Sequence, residues 1–220
     1  MAQMKNLASR WVLIGDLVGS RDAPDRAALH RAVERALDSA NGAVPAVTAL
    51  RVTVGDEFQG SYATLGDALE AALRVRLELL PGADSRVGVG RGAVTILDDE
   101  RGVEDGPGWW AARAAIEAVE EAAERPATRL VRTAYRSAGE SEDRDLSEHA
   151  VNAALLCRDH LVGSFSERSV RLLRGLMEKD TTQKELAARE GITASAVSQR
   201  VRADGIGAVL AAQDLLRRLP

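Results

Sequence analysis

Two carboxylates set side by side at the end of an apolar run limit the folds open to this chain more than any other feature. The stretch Val52-Thr-Val-Gly-Asp-Glu-Phe-Gln-Gly60 runs from strand-like sequence into Asp56 and Glu57 and back into apolar sequence. A glycine beside an acid between two such runs signals a hairpin, in which Gly55 makes the turn and Asp56 projects from the sheet end. A second acid, Asp16, ends the apolar run Trp11-Val-Leu-Ile-Gly-Asp16. If the two strands are neighbours, these carboxylates converge. At about 4 Å and an effective dielectric of about 20 they repel by about 4 kcal/mol, so the ionised pair needs a cation between its members. Magnesium is the expected ion, with Glu57 as a further ligand. The alternative is a plain polar turn, with Asp16 an ordinary loop residue.

The chain has 220 residues and 45% hydrophobic content, enough for one domain of ordinary size and a small one. No apolar run approaches the roughly 20 residues of a membrane span, and Met1-Ala-Gln-Met-Lys-Asn lacks a signal-peptide core. The expectation is a cytoplasmic protein with no membrane partner. The one cysteine, Cys157, cannot form an internal disulfide and is expected to be a small buried hydrophobe. Charge is uneven: residues 164–220 carry 10 Lys/Arg against 7 Asp/Glu, while residues 1–163 carry 19 against 26. An acidic body argues against general nucleic-acid binding there, whereas the basic tail permits it.

Residues 11–15 are continuously apolar, as in a central strand buried on both faces. Leu29, Val33 and Leu37 recur at helical spacing between Pro24 and Ala40, and Asn41-Gly42 is expected to stop that helix. Strands follow at 47–54 and 58–62, then a helix from Leu65 to Leu80. The segment Arg86-Val-Gly-Val-Gly-Arg-Gly92 places Gly88, Gly90 and Gly92 on one strand face, leaving bare backbone for a ligand, a partner subunit or tight internal packing. An acidic loop over 97–106, a helix over 107–123 and an edge strand over 128–135 complete the order of a ferredoxin-like βαββαβ sheet with additions, its helices on one face. The class is thus α+β, with a sheet domain over 1–136, a linker and connecting helix over 137–163, and an all-α domain over 164–220.

Within the all-α part, residues 182–202 have the pattern of a helix-turn-helix. Leu186 and Ala187 pack the first helix, Gly191 supplies a left-handed turn, and Ile192, Val197 and Val201 seat the second. Ser195, Ser198, Gln199 and Arg202 then face a DNA major groove, while Lys184 and Arg200 take phosphates. Glu190 departs from the pattern, since an apolar residue is common there. The alternative is a packing or dimerisation module of the same geometry.

Residues 11 to 135 resemble the bacterial SatD family and, more distantly, the catalytic domain of class III nucleotidyl cyclases. The motifs are Ile14-Gly-Asp-Leu-Val-Gly-Ser-Arg21, Gly55-Asp-Glu-Phe-Gln59, Arg86-Val-Gly-Val-Gly90 and Asp105-Gly-Pro-Gly-Trp-Trp-Ala-Ala-Arg113. The resemblance implies that Asp16 and Asp56 hold metal ions and that Arg113 stabilises a transition state from the other subunit of a homodimer. It also implies that the loop of Leu17, Val18, Gly19 and Ser20, with the adjoining Arg21, receives a triphosphate. Two positions depart from the cyclases: Trp109 stands where they carry an asparagine, and Val52 where adenylyl cyclases carry a base-selecting lysine. An indole has one N–H donor and no acceptor, so it cannot orient a ribose as an amide does. Trp109 is left either to stack on a base or to pack in the core. The leading reading is a DNA-binding regulator that senses a nucleotide with magnesium. A magnesium-dependent nucleotide-processing enzyme and a ligand-free interaction module are the alternatives.

Overall fold

The computed structural model describes residues 9–98, 103–139 and 142–220. In chain order they form β1 (Arg10–Leu17), α1 (Arg26–Ala43), β2 (Thr48–Val52), β3 (Phe58–Tyr62), α2 (Leu65–Leu79) and β4 (Ser85–Gly92). Next come β5 (Thr95–Asp98), β6 (Val103–Asp105), α3 (Pro107–Ala123), β7 (Thr133–Ser137) and α4 (Glu142–Gly163). The chain ends in α5 (Glu167–Leu176), α6 (Gln183–Glu190), α7 (Ala194–Ala203) and α8 (Ile206–Leu216). The main sheet has the order β2-β3-β1-β4-β7. Its first four strands pair antiparallel and β7 runs parallel to β4. The protein is therefore a mixed α+β structure. Strands β5 and β6 form a separate antiparallel hairpin in place of the expected loop, and the residues joining them, 99–102, lie outside the described ones.

Strand β1 is buried on both faces, as its unbroken apolar run predicts, and alternation sends its side chains into two cores. Trp11, Leu13 and Leu17 join Phe58, Tyr62, Val87 and Val89 beneath α1 and α2. Val12 and Ile14 point the other way and meet Trp109, Ala112 and Ile116 of α3. Helices thus cover both faces, contrary to the expectation of one. The glycines of β4 are the reason. A Cβ on Gly90 would lie 2.2 Å from the Ala112 nitrogen and the Gly108 oxygen, and one on Gly88 would lie 2.3 Å from the Ala112 oxygen. Their bare face is filled by the α3 backbone of the same chain and is not open to a ligand or a second subunit.

Helix α1 passes through Asn41-Gly42 and ends at Ala43. The Asn41 side chain faces outward to the next strand, donating to the Leu50 carbonyl at 3.0 Å and accepting from the Leu50 amide at 2.9 Å. This supplies both hydrogen bonds to β2 beside its register shift.

The last strand starts later than its composition suggests, at Thr133, and its outer edge is closed by side chains of α4. Asn152 accepts from the Tyr135 amide and donates to the Tyr135 carbonyl, each at 2.8 Å, while Glu148 accepts from the Ser137 amide at 3.0 Å. Asp159 accepts from the amides of Arg132 and Thr133 at 2.8 and 2.6 Å. The helix expected after the linker thus seals a sheet edge, a place where unpaired backbone would invite another strand. Val151, Leu155, Arg158 and Val162 define the buried stripe of α4, and Cys157 falls off it and is exposed, not buried.

Helices α5 to α8 share their core with the sheet domain. Leu73 and Leu77 of α2 pack with Val170, Leu173, Leu186, Val197 and Ile206. Polar links accompany them: Arg74 donates to the Met177 carbonyl at 2.9 Å, and Arg174 pairs with Glu78 at 3.1 Å. Behind this seam Arg158, fully enclosed, donates to Gln213 at 3.0 Å and to Thr133 at 2.9 Å. Burial lowers its pKa against the opposing pull of Asp159. Among the described residues no helix is long and apolar enough to cross a membrane.

Candidate functional site

Register and hairpin geometry gather charged groups at one end of the sheet. Asp16 near the end of β1 lies opposite Arg86 at the start of β4. The guanidinium grips it with two hydrogen bonds, from Nε at 2.9 Å and Nη2 at 3.0 Å, and its Nη1 donates to Glu120 of α3 at 2.8 Å. Burial raises the Asp16 carboxyl above its ordinary value; Arg86 opposes the rise, and the charges of Asp56 and Glu120 add to it. Asp56 is thus within electrostatic reach of Asp16.

The hairpin forms as its glycine predicts. Gly55 has φ 64°, the Glu57 amide donates to the Val54 carbonyl at 3.0 Å, and the Thr53 amide donates to the Glu57 carbonyl at 2.8 Å. Glu57 turns to Arg113 of α3, with which it pairs at 2.8 Å, and that hydrogen bond is the main reason the Arg113 pKa is raised. Asp56 makes no ion pair or hydrogen bond among the described residues. Leu17 and Ser20 are buried, Val18, Gly19 and Arg21 are exposed, and Leu17 and Ser20 share a small cleft of about 30 Å³ with Gly55 and Asp56. The loop after β1 and the hairpin tip are therefore neighbours.

The structure brings together Asp16, Asp56, Glu57 and Arg113, and adds Arg86 and Glu120. In the sequence Arg86 stands out only as part of a glycine motif, because its partner is set by cross-strand register. Among the described residues no group of three or more His, Cys, Asp or Glu is placed to hold a metal ion. Glu57 is engaged by Arg113 and both oxygens of Asp16 by Arg86, so of the three acids Asp56 alone is without a partner among the described residues. A magnesium ion carrying its own waters would draw on Asp56 directly and on Asp16 only in exchange for Arg86. Trp109 does not stack at this site: it is 9% exposed, inside the core with Val12 and Ile14. The exposed indole is Trp110, whose Nε1 donates to Asp105 at 2.9 Å.

Helices α6 and α7 form a tight two-helix unit. Thr182 and Glu185 make a reciprocal capping box, Gly191 closes α6 with φ 64°, and Thr193 caps α7. Leu186, Ala187 and Val197 are buried, while Ile192 and Val201 are half-buried. Lys184, Ser195, Gln199 and Arg202 are exposed. Ser198 is half-buried, and Arg200 is partly engaged by Asp204 at 3.5 Å. Glu190, the departure from the pattern, has a physical role: it accepts two hydrogen bonds from Arg171 at 2.8 Å and pairs with Arg168 at 3.4 Å, tying α6 to α5.

Among curated proteins none matches this sequence. Among solved structures, a bacterial light-regulated adenylyl cyclase is similar at 12% identity and a TM-score of 0.46, over 61% of this chain and 44% of that one. The match thus spans less than half the length of that cyclase. A regulator of polyketide synthase expression from Bifidobacterium adolescentis is similar at 12% identity and a TM-score of 0.24, over 96% of this chain and 82% of that one. The SatD family matches over residues 11–219, nearly the whole chain, and the protein belongs to the SatD family.

Proposed function

We propose that this chain is a cytoplasmic DNA-binding regulator whose sheet domain, read as ferredoxin-like and cyclase-like, binds a nucleotide with magnesium. The observation that carries the nucleotide part is the convergence of Asp16, Asp56, Arg86 and Arg113 at one sheet end, beside the loop of residues 17–21. Asp16 and Asp56 would hold the magnesium, which when bound supplies positive charge for a triphosphate. Arg86 and Arg113, now paired with Asp16, Glu120 and Glu57, would take phosphate oxygens as well, since a guanidinium fork matches that geometry. Arg113 is thereby a binding residue first, and its catalytic role belongs to the alternative reading as a nucleotide-processing enzyme.

The DNA part rests on the exposed polar set of α7 and on Lys184, and reading two half-sites calls for a homodimer. With the β4 glycine face filled, that dimer must use another surface. The test is selection of bound sequences from random duplex DNA, followed by titration with variants. Arg202→Ala and Gln199→Ala should each cost about 1–3 kcal/mol on the selected site, whereas Lys184→Ala should lower the salt slope by about one. Failure to enrich any sequence, with all three variants binding like the parent, would contradict the DNA-binding reading.

A further inference from the structure

An apolar cavity of about 340 Å³ lies between the turn after α3 and the outer face of α4, and it shares no residue with the acid–arginine cluster. Ala127, Leu130 and Val131 line it from the turn, and Leu156, Cys157 and Leu161 from the helix. The turn spends its polar groups internally. The Thr128 amide donates to the Arg125 carbonyl at 3.0 Å, the Thr128 hydroxyl to the Ala122 carbonyl at 2.6 Å, and the Val131 amide to the Thr128 carbonyl at 2.9 Å. The backbone of α4 is bonded within its own helix. Both walls therefore present side chains, and Leu156 stays 40% exposed among them. A concave apolar surface of this size is the usual setting of a small-molecule site.

The lining selects the occupant. Among the described residues no Lys, Arg, Asp or Glu borders the cavity, so phosphates and other ions find no counter-charge there. A peptide strand would find no backbone partner on either wall for its N–H and C=O groups. A second copy of the chain would need far more surface, roughly 20–30 residues a side. What remains is a small, uncharged, apolar molecule. A dry cavity of about 150 Å³ takes one benzene ring, so this one suits about two fused rings. One polar anchor stands at its border: the exposed ring of His160, which makes no hydrogen bond or ion pair among the described residues. An imidazole offers one donor and one acceptor, which a hydroxyl on the ring system would meet.

Leu161 connects this cavity to the C-terminal helices. It borders the cavity and also packs against the core that holds Val197 of α7. A Cβ on Gly205, in the turn between α7 and α8, would lie 3.3 Å from Leu161 Cδ2. An occupant thus pins a side chain against which that turn rests.

We infer that this cavity is an effector site for a small neutral fused-ring aromatic compound bearing a hydroxyl group, with His160 as its polar anchor and Leu161 carrying occupancy to the α7–α8 turn. The inference rests on neither the nucleotide reading nor the DNA reading.

The test uses the full chain, with 2-naphthol as the probe and naphthalene for comparison. Isothermal titration should give one site per chain, with 2-naphthol bound about five-fold more tightly, the worth of one hydrogen bond. Cys157 is the only cysteine and is exposed, so the rate at which a coloured disulfide reagent modifies it reads the cavity directly. Saturating 2-naphthol should slow that reaction at least ten-fold, and should slow hydrogen exchange over residues 203–206. His160→Leu should remove the preference for 2-naphthol and keep naphthalene binding. Ala127→Trp, a change at an exposed position, fills the cavity and should abolish binding of both. No heat and no thiol protection up to the solubility limit of the probe would overturn the inference. Binding unaltered by Ala127→Trp would do so as well, by locating the probe elsewhere. Thiol protection that grows with protein concentration in the absence of probe would assign the cavity to a second copy and overturn it too. Unchanged exchange at the turn, with binding intact, would overturn the role given to Leu161.

Discussion

Gly90 decides how closely α3 can lie on the sheet. A methyl group there would sit 2.2 Å from two backbone atoms of α3, neither of which can rotate away. Gly90→Ala should therefore destabilise the fold by about 3 kcal/mol, the upper range for overpacking, whereas Gly42→Ala, with nothing within 4 Å, should not. Chemical denaturation of the two variants checks the contrast. The glycine spacing was legible in the sequence, but its purpose was not, because nothing local says whether a bare face meets a ligand, a subunit or a helix. Glu190 shows the same limit. It broke a helix-turn-helix pattern in sequence, and only the approach of Arg171 and Arg168 from another helix explains it. Those arginines hold its carboxyl below the ordinary 4.5. A depressed carboxyl stabilises the fold above its unfolded pKa and loses that contribution as pH falls through its folded value. Glu190→Gln should thus cost about 2 kcal/mol at neutral pH. The gap between variant and parent should close on acidification below about pH 4.5, as urea melts across pH would read.

At the scale of elements, helices and strands with strong periodicity were readable and their partners were not. Strand β1, α1, α2 and α3 lie where their apolar spacing puts them. Thr128 to Val131 have strand-like composition, yet the chain turns there and β7 begins only at Thr133: the Thr128 hydroxyl donates to the Ala122 carbonyl at 2.6 Å and the Val131 amide to the Thr128 carbonyl at 2.9 Å. The edge-sealing role of α4 could not be read, since Asn152 is chosen for a strand 17 residues away in sequence. Asn152→Leu removes both hydrogen bonds to Tyr135. It should lower stability by about 1–3 kcal/mol and expose a pairing edge. Equilibrium unfolding gives the first effect, and concentration-dependent light scattering the second. An unchanged melt without self-association would show that β7 does not need this cover.

At the scale of the whole molecule, the division at residue 163 marks a change of class and not a gap in packing. Leu73 and Leu77 belong to α2 yet complete the core of α5 to α8. Removing residues 164–220 would expose them, so the truncated sheet domain should be less stable than the full chain. Leu77→Ala should cost about 2–5 kcal/mol and shift one shared transition, whereas separate calorimetric transitions would show two independent units. Such a shared core would be the physical path by which a ligand on the sheet biases α6 and α7, the helices proposed to bind DNA. That account stands on the proposed site of Asp16 and Asp56, which the sequence suggests because both acids end apolar runs. The most direct measurement is the melting temperature of wild type and Asp56→Asn, with and without magnesium plus a nucleoside triphosphate. A ligand at 100 times its dissociation constant adds about 2.7 kcal/mol to the folded state. Wild type should show that rise with the pair of ligands and less with either alone. Asp56 has no partner to lose, so the Asn variant should melt no lower than wild type without ligand and should gain nothing with it. No rise in wild type, together with a lower ligand-free melting temperature for Asp56→Asn, would contradict the account.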